Sequence, residues 1–157
     1  MKIIENQKGF LLLDSLFGVL ITSVALISIV SLVTMGVKTY SVNSEQSRAY
    51  QIAASYGDAL QSLSIANWAT LVPSTVTSYQ AIDISSSNTV VYNDLANARN
   101  SLSSLPGATV SIYGKVSSAA NAGNRLAQVK IIVSWSNNTK QVALIKYYIR
   151  NNQPSST

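Results

Sequence analysis

The sequence predicts an α+β chain: one long N-terminal helix, membrane-embedded in its first half, packed on a small antiparallel β-sheet. Three observations predict it. The run from Phe10 to Val37 carries no charge except Asp14. Val42, Ala49, Tyr56 and Leu63 then recur every seven residues, joined by Ile52 and Leu60, as one apolar stripe of a helix. Finally, "RLAQVKIIVSW" sets Val129, Ile131, Val133 and Trp135 on one face and Gln128, Lys130 and Ser134 on the other, the period of a half-buried strand.

The apolar run would be about 42 Å long as a helix, whereas about 20 residues suffice to cross the hydrocarbon core. It exceeds the roughly 7–15 apolar residues of a secretory signal peptide, and no small-residue cleavage site follows it. Lys2 and Lys8 precede the run and Lys38 follows it. Basic residues before a span hold the amino terminus in the cytoplasm, so the C-terminal domain is expected on the far side of the membrane. Gly18, Thr22 and Ala25, continued by Ser28, line up near one face of this helix, where small residues let helices pack closely. The bland alternative is ordinary composition, since small residues are common in membrane helices.

Asp14 is the anomaly. An aspartate at the centre of a membrane helix costs about 2.5 to 3.5 kcal/mol, so a simple anchor gives no reason to keep one.

From 38 to 66 the same helix is expected to continue in amphipathic form, with Glu45 and Arg48 spaced for a weak surface pair. Gly57 costs such a helix up to about 1 kcal/mol relative to alanine. Residues 67–106 are Ser/Thr-rich without a sustained period. Within them "DLANARNSLSSLPG" has Leu95, Ala98 and Leu102 spaced to face inward on a short helix, stopped by Pro106-Gly107. Three antiparallel strands are expected over 107–150: "ATVSIYGKV", with Val110, Ile112 and Val116 at alternate positions, then "RLAQVKIIVSW" and "KQVALIKYYIR". "SNNT" joins the last two as a hairpin connection in which Asn137 tolerates positive φ. Asn137-Asn138-Thr139 also fits the N-glycosylation pattern, but the turn explains it first. "SSAANAG" from Ser117 to Gly123 is a loop, and 151–157 is a frayed tail.

Composition excludes much. The chain has no cysteine and no histidine, which removes disulfides, thiol nucleophiles, the commonest general base and the commonest metal ligand. Glu45, Asp58, Asp83 and Asp94 are widely spaced along the exported part. No enzyme, cofactor or metal site is expected. With 11 basic against 6 acidic residues the net charge is +5. Without a clustered basic run, this describes a mildly cationic surface; DNA or a host surface is a conceivable partner that nothing in the pattern supports. Trp68, Tyr79 and Tyr92 lie outside the apolar stripes and could contact a ligand, although core anchoring is the simpler role for each.

"QKGFLLLDSLFGVLI" resembles the processing and assembly region of type IV prepilins and pseudopilins. Their pattern is a short polar leader ending in glycine, an aromatic residue, a few aliphatics, and an acid fifth in the mature chain. Gly9, Phe10 and Asp14 fall on those positions. The resemblance implies a pilin-like fold and a leader over 1–9. It also implies cleavage after Gly9, behind Lys8, by a prepilin peptidase at the cytoplasmic face, with N-methylation of Phe10. Segment 10–37 becomes the filament-core helix, and 67–106 the variable loop between helix and sheet. In the family, the acid of an incoming subunit pairs with the new terminal amine of a neighbour, which would give Asp14 its purpose. Here the acid is aspartate where the family usually has glutamate; protonation, or a bond to Ser15 or a neighbouring helix, are the alternatives.

"DLANARNSLSSLPGATVSI" followed by a "VSW" strand is most similar to the PilV-like minor-pilin branch. The mid-helix "TSVALISIVS" lacks the glycine or proline of many major pilins. A minor structural subunit of a type IV pilus is therefore expected. Other pilin subunits, prepilin peptidase, an assembly platform protein and an ATPase would be its partners. Its location would be the bacterial cytoplasmic membrane and then an extracellular or periplasmic filament. A pseudopilin of a type II secretion or competence DNA-uptake system shares this architecture, and a single-pass membrane-anchored adhesin or sensor is a further alternative.

Overall fold

The computed structural model describes residues 3–117 and 126–150, with side chains from Phe10 onward. Most of the expected loop at 117–123, the whole of the expected tail at 151–157, Lys2, and the side chain of Lys8 lie outside the described residues. The chain divides into two units, 1–44 and 45–157.

The first unit is the leading part of α1, a helix that spans Ile3–Ala59. Every described residue from Phe10 to Ser41 in it is exposed. The helix is long and apolar enough to cross a membrane, and the most apolar part of it is 0% buried. Its hydroxyls turn inward to their own backbone. Thr22, Ser23, Ser28, Ser31 and Thr34 each donate to the carbonyl four residues back, at 2.7 to 2.9 Å, and Ser15 donates to Leu12 at 3.0 Å. A hydroxyl bonded this way needs no water, so apart from Asp14 the surface from Phe10 to Val37 is apolar.

The second unit has a conventional core. Glu45–Ala59 of α1 buries Ala49, Ile52, Ala53 and Tyr56 against an antiparallel sheet of four strands. These are β1 (Gln80–Ile82), β2 (Thr109–Val116), β3 (Leu126–Trp135) and β4 (Lys140–Ile149), in spatial order β1-β2-β3-β4. Ile82, Ile112, Ile131 and Leu144 sit opposite one another in a row across the sheet. The alternation expected in β3 is present: Val129, Ile131, Val133 and Trp135 are buried and the residues between them are not. Burying an aliphatic or aromatic side chain of this size contributes about 1.5 to 3 kcal/mol.

Ser136, Asn137 and Asn138 all have positive φ in the hairpin between β3 and β4, so the expected turn is there and uses one residue more of left-handed backbone on each side of Asn137. Pro106-Gly107 also stops its helical segment as expected, Gly107 adopting φ 71°.

Three expected elements are corrected. The amphipathic helix does not run to residue 66. It stops at Ala59, followed by a 3-10 turn at Leu60–Ser62 and an extended Leu63. The Ser64 hydroxyl then accepts from the Asn67 N–H at 3.2 Å and starts a new helix, α2 (Ile65–Leu71). Leu63 is buried even so, because the turn carries it back to the core. The sheet has one strand more than expected, β1, which pairs Gln80, Ala81 and Ile82 with Gly114, Tyr113 and Ile112. The expected short helix is split into α3 (Thr89–Asp94) and α4 (Ala96–Asn100), with a 3-10 turn at Ser101–Ser104. Leu95 and Ala98 are buried and Leu102 packs partly against the core, as their spacing required.

The expected pair between Glu45 and Arg48 is replaced by longer-range bonds. Glu45 accepts from the Trp135 indole at 3.0 Å and from Lys140 at 2.7 Å, and Arg48 donates to the Ser104 carbonyl at 3.1 Å. Gly57 is explained by the same strand. Its carbonyl accepts from the Tyr148 hydroxyl at 2.7 Å, and a Cβ there would lie 2.8 Å from the Lys146 side chain.

Candidate functional site

Phe10 and Asp14 stand four residues apart in α1, one turn along the same face and about 6 Å in rise. Phe10 is 76% exposed and Asp14 is exposed. Among the described residues the Asp14 carboxylate has neither a hydrogen bond nor an ion pair: Ser15 donates to Leu12, and no base occurs between Phe10 and Val37. The chain therefore offers a charge-bearing group on an apolar cylinder with nothing within that segment to neutralise it. Gly9 belongs to the α1 backbone, while the side chain of Lys8 lies outside the described residues.

Gly18, Thr22 and Ala25 lie on that helix with no neighbour over them. A Cβ built on Gly18 would meet no atom within 4 Å, and the Thr22 hydroxyl is committed to the Gly18 carbonyl at 2.7 Å.

An open cleft of about 500 Å³ beside β4 is lined by Leu63, Trp68, Lys146 and Tyr148, but its one cation already holds Asp58 at 2.5 Å. Among the described residues no group of three or more acids, histidines or cysteines comes together.

The three aromatics have different positions. Trp68 is 1% exposed and stacks on Tyr148 with ring centroids 4.5 Å apart, which makes it a core residue. Tyr92 is half-buried under the Arg99 guanidinium, 3.4 Å above its ring, and the same guanidinium donates to the Tyr92 carbonyl. Tyr79 lies just before β1, with Lys115 and Lys130 over its ring. Comparison with family models, with curated proteins and with solved structures returned no match.

Proposed function

We propose that the chain is a minor structural subunit of a type IV filament. On this reading prepilin peptidase removes residues 1–9 at the cytoplasmic face and Phe10 is N-methylated. The subunit waits in the cytoplasmic membrane with residues 45–157 exported. A platform protein and an ATPase then move it into the filament among other pilin subunits. The observation that carries this reading is Asp14, a carboxylate without a partner among the described residues, one helical turn beyond the Gly9-Phe10 junction in the otherwise uncharged, exposed stretch of α1 from Phe10 to Val37.

The physical reason runs through solvation. A lone charge in hydrocarbon is strongly unfavourable, while a paired one is tolerated when geometry is good. Cleavage after Gly9 would create an amine on Phe10. Asp14 of an arriving subunit gains a partner only when it reaches such an amine on a neighbour, so lateral position and axial register are selected together. The apolar surface around it favours burial among other helices of the same kind. Small residues at Gly18, Thr22 and Ala25 let those helices approach. The absence of proline and glycine from "TSVALISIVS" supports a minor rather than a major role.

Mass spectrometry of the protein isolated from membranes tests the reading. The expected chain begins at Phe10 and carries one extra methyl group on its amine. A chain that retains residues 1–9 removes the filament role and leaves a membrane-anchored adhesin or sensor.

A further inference from the structure

The face of the sheet turned away from α1 collects side chains that neither the core nor filament assembly uses. Lys115, Gln128 and Tyr147 lie opposite one another on β2, β3 and β4, and Ala81, Tyr113, Lys130 and Ile145 form the adjacent row. Tyr79 reaches this group from the segment before β1. The Lys115 and Lys130 ammoniums lie 4.9 and 5.9 Å from its ring centroid. Gln128 donates to the Tyr147 hydroxyl at 3.2 Å, and Tyr147 is 56% exposed. Burial, followed by the nearby Tyr147 phenol, pushes the Tyr79 hydroxyl up from its ordinary value, which agrees with the two rings being neighbours.

The charge on this face is one-sided. Among the described residues neither Lys115 nor Lys130 has an ion-pair partner. Glu45 and Asp58 are bonded to Lys140 and Lys146, whose strand positions alternate with the exposed Ile145 and Tyr147. Asp83, at the rim past β1, accepts from the Ser85 N–H at 2.9 Å and from the Ser87 hydroxyl at 2.8 Å. Two ammoniums over a tyrosine ring, with no carboxylate partner among the described residues, complement an anion that carries planar rings of its own.

We infer that this face binds single-stranded nucleic acid, with a base stacked on Tyr147 and phosphates held by Lys115 and Lys130, which the Tyr79 ring holds in place. Every base has a π-face, so stacking on tyrosine tolerates any sequence, and lysines track the backbone as mobile point charges. A duplex hides its base faces and a sheet surface this broad does not enter its grooves. An acidic polysaccharide would satisfy the lysines but offers no π-face to Tyr147. A second copy of the chain would bring the same positive charge against itself. This surface is independent of Asp14 and of leader processing.

The test is fluorescence anisotropy of a labelled 20-nucleotide oligo(dT), with the full chain in neutral detergent micelles, at several salt concentrations. The same-length duplex and polygalacturonate serve as competitors. The expected result is tighter binding of the single strand than of either competitor. Tyr147→Ala should weaken it at least about fivefold, and Tyr147→Phe, which keeps the ring, should stay within about threefold of the parent. Combined Lys115→Gln and Lys130→Gln should reduce the slope of log affinity against log salt by about 1.4, at roughly 0.7 per phosphate contact. Arg48→Gln with Lys140→Gln, which removes equal charge elsewhere, should leave oligo(dT) affinity within about threefold. Equal affinity for duplex, tighter binding of polygalacturonate, or an unchanged salt slope in the Lys115/Lys130 variant would each overturn the inference.

Discussion

Two stretches of one helix solve the same problem in opposite ways. Between Phe10 and Val37, α1 buries nothing, and its serines and threonines are closed onto their own carbonyls. Between Glu45 and Ala59 it buries Ala49, Ile52, Ala53 and Tyr56 and is tied to distant strands through Glu45, the Gly57 carbonyl and Asp58. The first stretch is stable as a helix wherever its surroundings are apolar, because every backbone group is satisfied internally. The second is stable because of what packs on it, as with most helices in globular domains. Secondary structure alone does not separate the two. The distribution of polar side chains does: the first stretch is long and apolar enough to cross a membrane, and the second belongs to a folded domain.

The largest expected effect on that comparison comes from Trp68→Ala. It removes a side chain that is 1% exposed and stacked on Tyr148, and should destabilise the C-terminal unit by about 3 to 5 kcal/mol. Near-UV circular dichroism during thermal unfolding in micelles checks it, and far-UV helicity from the apolar stretch should persist after the domain has melted. Simultaneous loss of both would break the division into two units.

Gly114→Ala comes next. A Cβ there would lie 2.7 Å from a Val72 methyl and 3.0 Å from Ile82, so α2 and β1 must give way, at a cost of about 1 to 3 kcal/mol in the same unfolding experiment.

Acid produces a smaller, graded loss. Hydrogen bonds from Ser85, and then Ser87, hold the Asp83 carboxyl below its ordinary value. A carboxylate whose folded pKa is depressed contributes stability that is complete above the unfolded pKa, about 3.9, and disappears as pH falls through the lower folded value. The C-terminal unit should therefore lose melting temperature below about pH 4. Asp83→Asn should flatten that decline, which a pH series of melting curves measures.

The smallest effect sharpens the contrast. Leu20→Ala, in the exposed apolar stretch, should leave melting of the C-terminal unit within about 0.5 kcal/mol of the parent, because nothing in that unit rests on it.

Legibility in the sequence followed physical range. β3 was plain because five alternate residues face one core and the others do not. β1 was hidden because a strand of three residues has no period of its own and is defined by its pairing with β2. The end of α1 was hidden for a subtler reason. Leu63 continues the seven-residue apolar spacing and is buried, yet the chain has already left the helix at Ala59. Asp14 stood out at once, since one acid in a long apolar run needs no structure to be noticed. Lys115, Lys130 and Tyr147 did not. Each looks like an ordinary solvent-facing strand residue until the register sets Lys115 beside Gln128 and Tyr147, and until Tyr79 is seen beneath both ammoniums.

We propose that Asp14 is kept because another subunit neutralises it. The most direct measurement compares recovery of Asp14→Ala and Asp14→Glu chains in sheared filaments with their amounts in membranes, after confirming that both begin at Phe10. The account expects the alanine chain to be processed and to accumulate in membranes while its filament share falls at least about tenfold, near 1.4 kcal/mol, and the glutamate chain to enter normally. An alanine chain that enters filaments as well as the parent would contradict it.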